Sequence, residues 1–201
     1  MKYLNYTFSI ILFAFFIGCS SNESKPGVQQ NQEQQNQERQ NVEAPSDEMG
    51  NTTQSVHLYG IDKMKFVVEE KSDAIQTSSS VTENGKTYYV VDGINTNAGE
   101  QMEVKLTTIS DMPASAMSHN WLLLKQKADA SEFARASMQA KENDYVAPEK
   151  MDMVIKETGL VGPGETKTIT FTTPDDTGDY EFICTFPGHF EAGMRGTLHV
   201  K

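Results

Sequence analysis

Between Cys184 and Met194 the sequence reads Cys-Thr-Phe-Pro-Gly-His-Phe-Glu-Ala-Gly-Met, which places an imidazole five positions and a thioether ten positions after a thiol. Thiolate, imidazole and thioether together are a soft-to-borderline donor set suited to copper, and a trigonal site of two histidines and one cysteine with a weak axial methionine is its electron-transfer form. The stretch supplies a single histidine, His189, so a second must come from elsewhere. His119, in Ser-His-Asn-Trp far upstream, is the best candidate. Pro187 stiffens the turn after the cysteine and Gly188 relaxes its sterics, returning His189 towards Cys184.

The elements that must position these residues read as strands. Tyr180, Phe182 and Cys184 share one face at a period of two, so the thiol starts on the core side. Trp121 to Leu124 is an apolar run of central-strand character, and Met102, Val104 and Leu106 alternate with polar neighbours as a half-buried strand does. Val56 to Phe66 holds a strand with a bend at Gly60-Ile61-Asp62, and residues 71 to 80 read as loop. Glu83-Asn84-Gly85-Lys86 signals a hairpin, because Asn-Gly accepts positive φ. Further strands are expected at Met153–Lys156, Lys167–Thr172, Tyr180–Cys184 and Thr197–Val200. Across residues 126 to 142, Ala128, Phe133, Ala136 and Ala140 recur at helical spacing without Pro or Gly, which predicts an amphipathic helix inserted between strands. Short strands separated by turn residues make the domain an all-β sandwich or barrel.

Composition bounds the rest. The chain has 201 residues and a net charge of −11, and without a Lys/Arg cluster it has no footprint for nucleic acid. Its two cysteines, Cys19 and Cys184, lie in different settings. Cys19 ends an apolar run from Tyr3 that follows Lys2 and has the length of a signal-peptide core. Phe16-Ile17-Gly18-Cys19 resembles a bacterial lipoprotein cleavage box, which implies a signal peptide over 1–18 and a lipidated Cys19. The Gln/Asn/Glu-rich segment 19–55 is too polar to form a core and reads as a disordered tether, with a root-mean-square reach of about 30 Å. The copper domain spans 56–201. The expected location is extracytoplasmic, lipid-anchored on the periplasmic side of a bacterial membrane, with Ser20 compatible with the outer membrane.

Cys184-Thr185-Phe186-Pro187-Gly188-His189, Met112-Pro113 with Met117-Ser118-His119-Asn120-Trp121, Tyr59-Gly60 with Asp62-x-Met64-x-Phe66, and the ending Gly196-Thr197-Leu198-x-Val200-Lys201 resemble the blue copper proteins of the azurin and auracyanin type, in the same order. The resemblance covers about 56–201, with a rewritten region near 70–95. It implies an eight-stranded Greek-key cupredoxin sandwich with a helical excursion between the fourth and fifth strands. It implies one type 1 copper, with His119, Cys184 and His189 as equatorial ligands and Met194 as the axial one. Asn120 is then expected to bond across to the ligand loop, and the Phe186 amide to donate to the sulfur. Ser118 stands where azurins have a glycine whose carbonyl approaches the metal. The loop from His189 to Met194 is one residue longer than in azurins and matches the auracyanin spacing, and the azurin disulfide has no counterpart.

Four filled ligand positions leave none for substrate, unlike catalytic metal centres, which keep one open. The expected role is electron transfer by a non-enzyme. Met64, Met112, Ala116, Met117, Phe186, Pro187 and Phe190 form the expected apolar patch around His189, where a monomer would meet redox donors and acceptors such as a cytochrome c or a terminal oxidase or reductase, transiently. A copper carrier or copper-tolerance module is the alternative, and the same ligands also accept zinc. His57 and His199 read as surface residues, and Met138, Met151 and Met153 as packing or surface.

Overall fold

The computed structural model describes residues 53–201. The expected signal peptide, the lipidation of Cys19 and the tether up to residue 52 concern residues outside those described. Among the described residues there are ten strands: β1 Gln54–Ile61, β2 Lys65–Val68, β3 Ile75–Glu83, β4 Lys86–Thr96, β5 Gln101–Ile109, β6 Leu122–Leu124, β7 Val154–Glu157, β8 Thr166–Thr172, β9 Gly178–Ile183 and β10 Arg195–Val200. They run in the order β7-β6-β9-β10-β4-β2-β1-β5-β8, with β3 added on β4, and curl into a nearly closed sandwich. Its fold is the cupredoxin one. Among the described residues no helix is long and apolar enough to cross a membrane.

Ten strands stand where the resemblance implied eight. One addition comes from the bend after Gly60: the Met64 amide bonds to the Ile61 carbonyl at 2.9 Å and splits the first segment into β1 and β2. The other is β3, in a region expected to be loop. Its Gln-Thr-Ser-Ser-Ser run has no apolar alternation, and it becomes a strand because the turn at Asn84 (φ 46°) and Gly85 (φ 76°) folds it onto β4. Strand β1 starts at Gln54, which pairs with Met102.

The helical excursion follows β6, as expected, but is shorter. Helix α1 covers Ala130–Ser137, opened by Asp129, whose carboxylate accepts from the Glu132 amide at 2.9 Å. Its buried face is Ala130, Phe133, Ala134 and Ser137, an i, i+3, i+4, i+7 stripe, and it packs with Leu122, Leu124, Ile183 and Phe190. The main core lies on the opposite side of β6 and β9, where Trp121, Leu123, Tyr180, Phe182 and Cys184 meet. Phe182 stacks on Trp121 with ring centroids 5.7 Å apart and receives Phe66 edge-on at 5.7 Å. Buried aromatic pairs of this kind add about 0.5–1.5 kcal/mol beyond their area. Trp121 lies two residues after His119 and Phe182 two before Cys184, so one aromatic stack anchors both chains that carry ligands.

Candidate metal centre

The antiparallel register of β6 and β9, Leu122 opposite Ile183, continues upward to set Asn120 across from Thr185. Each then bonds the other. The Thr185 amide donates to Asn120 Oδ1 at 2.8 Å, and Asn120 Nδ2 donates to Thr185 Oγ1 at 2.8 Å. This side-chain pairing extends the ladder past the end of β6 and joins the two segments that carry His119 and Cys184. A backbone bridge pins His119 from the other side: its amide donates to the Val161 carbonyl at 3.0 Å, and the Val161 amide to the His119 carbonyl at 2.7 Å. His189 arrives on the loop from β9 to β10, which ends where Met194 donates its amide to the His189 carbonyl at 2.9 Å and accepts from the Cys184 amide at 3.0 Å.

These elements bring the expected ligands together. Nδ1 of His119 lies 3.1 Å from Nδ1 of His189, and the Cys184 sulfur 3.5 Å from His189 Nδ1. All three donor atoms fall within 4.8 Å of one another. His119 and Cys184 are fully buried and His189 is 2% exposed. Met194 is fully buried in the same cluster as Cys184, and Met117 and Met194 both lie near the three donors. The donor set fits a single soft-to-borderline ion. Two imidazole nitrogens 3.1 Å apart are spaced as ligands with bonds of about 2.0–2.1 Å to one shared ion are, while without an ion they can share only one proton.

Burial fixes the protonation of these side chains. Desolvation lowers His119 to about 3, with a further push from His189, and lowers His189 to about 4. It raises the Cys184 thiol to about 12, against the opposing pull of the Asn120 and Phe186 backbone amides on the sulfur. Both histidines are therefore neutral ligands near pH 7, and the thiol must release its proton to bind metal. For the metal-free protein the sign follows directly. Below the unfolded value of 6.5 the unfolded chain takes up protons that the folded chain refuses until about pH 4 and 3, so stability falls as pH drops through that window. Urea midpoints of metal-free protein at pH 7.5, 6, 5 and 4 are expected to decrease monotonically, and a flat profile would show that the imidazoles are solvated.

The surroundings of the site agree in part with the sequence reading. The backbone amides of Phe186, a residue singled out from the sequence, and of Asn120 are the groups that oppose the rise of the Cys184 thiol. Ser118 directs its hydroxyl to the Ala114 carbonyl at 2.7 Å. Of the apolar patch, Met112 (43% exposed), Ala116 and Pro187 are open to solvent, whereas Met64 is half-buried. Met117, Phe186 and Phe190 are buried. Phe190 turns inward because the loop closes as a helical turn over α1, where it joins Phe133 in the core with the Arg195 guanidinium 4.9 Å from its ring. His57 is engaged by Thr107 at 2.8 Å and Tyr59 at 3.2 Å, and His199 by Asp179 at 2.7 Å. His199 is less open than expected, since it packs over Gly93.

Four residues contribute to the site in ways the sequence reading did not assign. Tyr145 and Asp144 supply backbone carbonyls that accept from Thr185 Oγ1 at 2.5 Å and from Asn120 Nδ2 at 3.2 Å, and the Tyr145 ring meets Phe186 edge-on at 5.2 Å. Gly60 lies flat against the His119 ring: a Cβ there would sit 2.4 Å from His119 Cδ2. Lys65 reaches the ligand loop from β2. Four surface hollows of about 200 to 430 Å³ lie elsewhere, and none of the four is lined by His119, Cys184 or His189.

Comparison with known proteins agrees with this geometry. Residues 22–201 match the sequence profile of copper binding proteins, plastocyanin/azurin family. The azurin of Pseudomonas chlororaphis is 38% identical over 101 residues, covering 49% of this chain and 77% of that azurin. Auracyanin-B of Chloroflexus aurantiacus is 36% identical over 85 residues, or 42% of this chain, and the match spans only 36% of that relative's length. Among solved structures, auracyanin A, described as a "blue" copper protein from the same green thermophilic photosynthetic bacterium, superposes with a TM-score of 0.56 at 25% identity, covering 75% of this chain and all of the other.

Proposed function

Because the chain belongs to the plastocyanin/azurin family of copper-binding proteins, we propose that His119, Cys184, His189 and Met194 hold its single type 1 copper and that it passes single electrons between redox proteins outside the cytoplasm. The observation that carries this is the buried convergence of two imidazole nitrogens 3.1 Å apart with a thiol sulfur 3.5 Å from one of them. Bound copper supplies a one-electron Cu(II)/Cu(I) couple in a ligand set acceptable to both states. The chain supplies the rest. Asn120 and Thr185 lock the two ligand chains together, the Phe186 and Asn120 amides stabilise the thiolate, and the aromatic stack of Trp121, Phe182 and Phe66 keeps water from beneath it. Rigid donors of this kind limit rearrangement as the charge changes.

Electrons enter and leave on the side of His189, where Pro187, Gly188, Ala116 and Met112 are open to solvent. A small apolar contact suits partners that must part quickly. The net charge of −11 favours a basic partner such as a cytochrome c through long-range steering. A lipid on Cys19 would tether the domain to the outer membrane.

Adding Cu(II) to purified metal-free protein tests this reading. One equivalent is expected to give an intense blue colour and a paramagnetic resonance spectrum with narrow copper hyperfine splitting. A colourless protein that instead holds one equivalent of zinc in the presence of both metals would make the site structural.

A further inference from the structure

We propose that Lys65 is a positioning residue for the metal loop: its ammonium clamps the carbonyl end of the turn between His189 and Met194 and thereby fixes where those two side chains stand. The proposal rests on the copper reading above for its functional meaning and on geometry for its existence.

The loop is a single helical turn. The Ala192 amide donates to the Gly188 carbonyl at 3.0 Å, Gly193 to Phe190 at 2.9 Å and Met194 to His189 at 2.9 Å. A helical turn leaves its last carbonyls unpaired, and here those of Ala192 and Gly193 meet no backbone amide among the described residues. Lys65 Nζ fills the gap, donating to Ala192 O at 2.6 Å and lying 3.4 Å from Gly193 O. A cation is favoured at the carbonyl end of a helical turn, and charge-assisted bonds are the short ones.

The clamp is delivered from a fixed point. Lys65 pairs with Ile61 across the β1–β2 turn, and Phe66, Val67 and Val68 behind it are buried. The turn's own amide bonds set its shape; the bond from β2 sets its height over the sheet, 127 residues away in sequence. Both expected ligands sit inside the clamped segment, so a loop free to rise would carry His189 and Met194 away from Cys184. The ammonium also places positive charge beside the loop. The oxidised copper–thiolate site carries one positive charge more than the reduced one, so this cation favours the reduced form.

Lys65→Met removes the charge and the donors while keeping the length of the side chain. Amide hydrogen exchange of metal-free protein is expected to speed up about tenfold at Gly193 and Met194, the change that losing one charge-assisted bond brings, with β9 and β10 amides unchanged and Lys65→Arg restoring protection. The reduction potential of the copper form is expected to fall in Lys65→Met. Unchanged exchange at Gly193 and Met194 overturns the proposal, and so does a lower potential without faster exchange, which reports charge alone. Should Lys65→Met fail to fold, the same comparison of Lys65→Gln with Lys65→Arg decides. A wild-type protein that takes up no copper would sink the functional reading while leaving the exchange result intact.

Discussion

Cys184→Ser is expected to give a folded protein that stays colourless when Cu(II) is added and binds the metal orders of magnitude more weakly. The reason lies in the donor. The two imidazoles are neutral, so Cys184 is the one expected ligand that brings negative charge and softness to a fully buried site. A serine hydroxyl ionises far less readily than a thiol and offers neither. The fold should survive, because Oγ can accept from the Phe186 and Asn120 amides that now serve the sulfur, and the volume change is small. Urea unfolding of the metal-free variant is expected within about 1–2 kcal/mol of wild type, the ordinary range for a point change. His57→Ala serves as the contrast: His57 is held by Thr107 and Tyr59, so this variant stays blue. If both variants turn blue, the ligand assignment is wrong.

How much of this was legible in the sequence depends on the kind of rule involved. The period of two placed Tyr180, Phe182 and Cys184 on one face, and all three share the main core, because a strand's pleat leaves no freedom in which way a side chain points. The Asn84–Gly85 turn was legible for the same local reason. Phe190 was not. It sits in a turn, where no fixed period assigns a face, and the partners that draw it inward, Phe133 and Leu124, lie on elements more than 50 residues away. Strand β3 was hidden because its polar run carries no pattern and is shaped by its partner. Backbone acceptors are hidden by nature, since every residue has a carbonyl.

Asp144 and Tyr145 illustrate that last case and link the inserted excursion to the metal centre. Both adopt left-handed backbone, with φ of 54° and 56°, a conformation that a bulky residue such as tyrosine rarely takes. The conformation turns their carbonyls towards Asn120 and Thr185. The segment between β6 and β7 thus does more than cover the helix-side core: it holds in place the amide pair that joins the two ligand chains.

Gly60→Ala is the second substitution expected to act strongly, through contact alone. A Cβ at residue 60 would fall 2.4, 2.5 and 2.9 Å from Cδ2, Cγ and Cβ of His119, all closer than non-bonded carbons tolerate, so the imidazole must move. Nε2 of His119 is buried without a hydrogen-bond partner among the described residues, so the ring is oriented there by packing against the bare glycine. The His119 backbone is meanwhile held by two bonds to Val161, so the shift must be taken up by the side chain, swinging Nδ1 out of its 3.1 Å approach to His189. Overpacking of a tight core costs about 1–3 kcal/mol, which the metal-free domain is expected to survive. Copper binding should suffer more, with at least a tenfold loss of affinity and a widened copper hyperfine splitting as one equatorial donor is displaced. Copper affinity and spectrum equal to wild type in Gly60→Ala would mean that His119 is not held by this contact, and would reopen the choice of the second histidine.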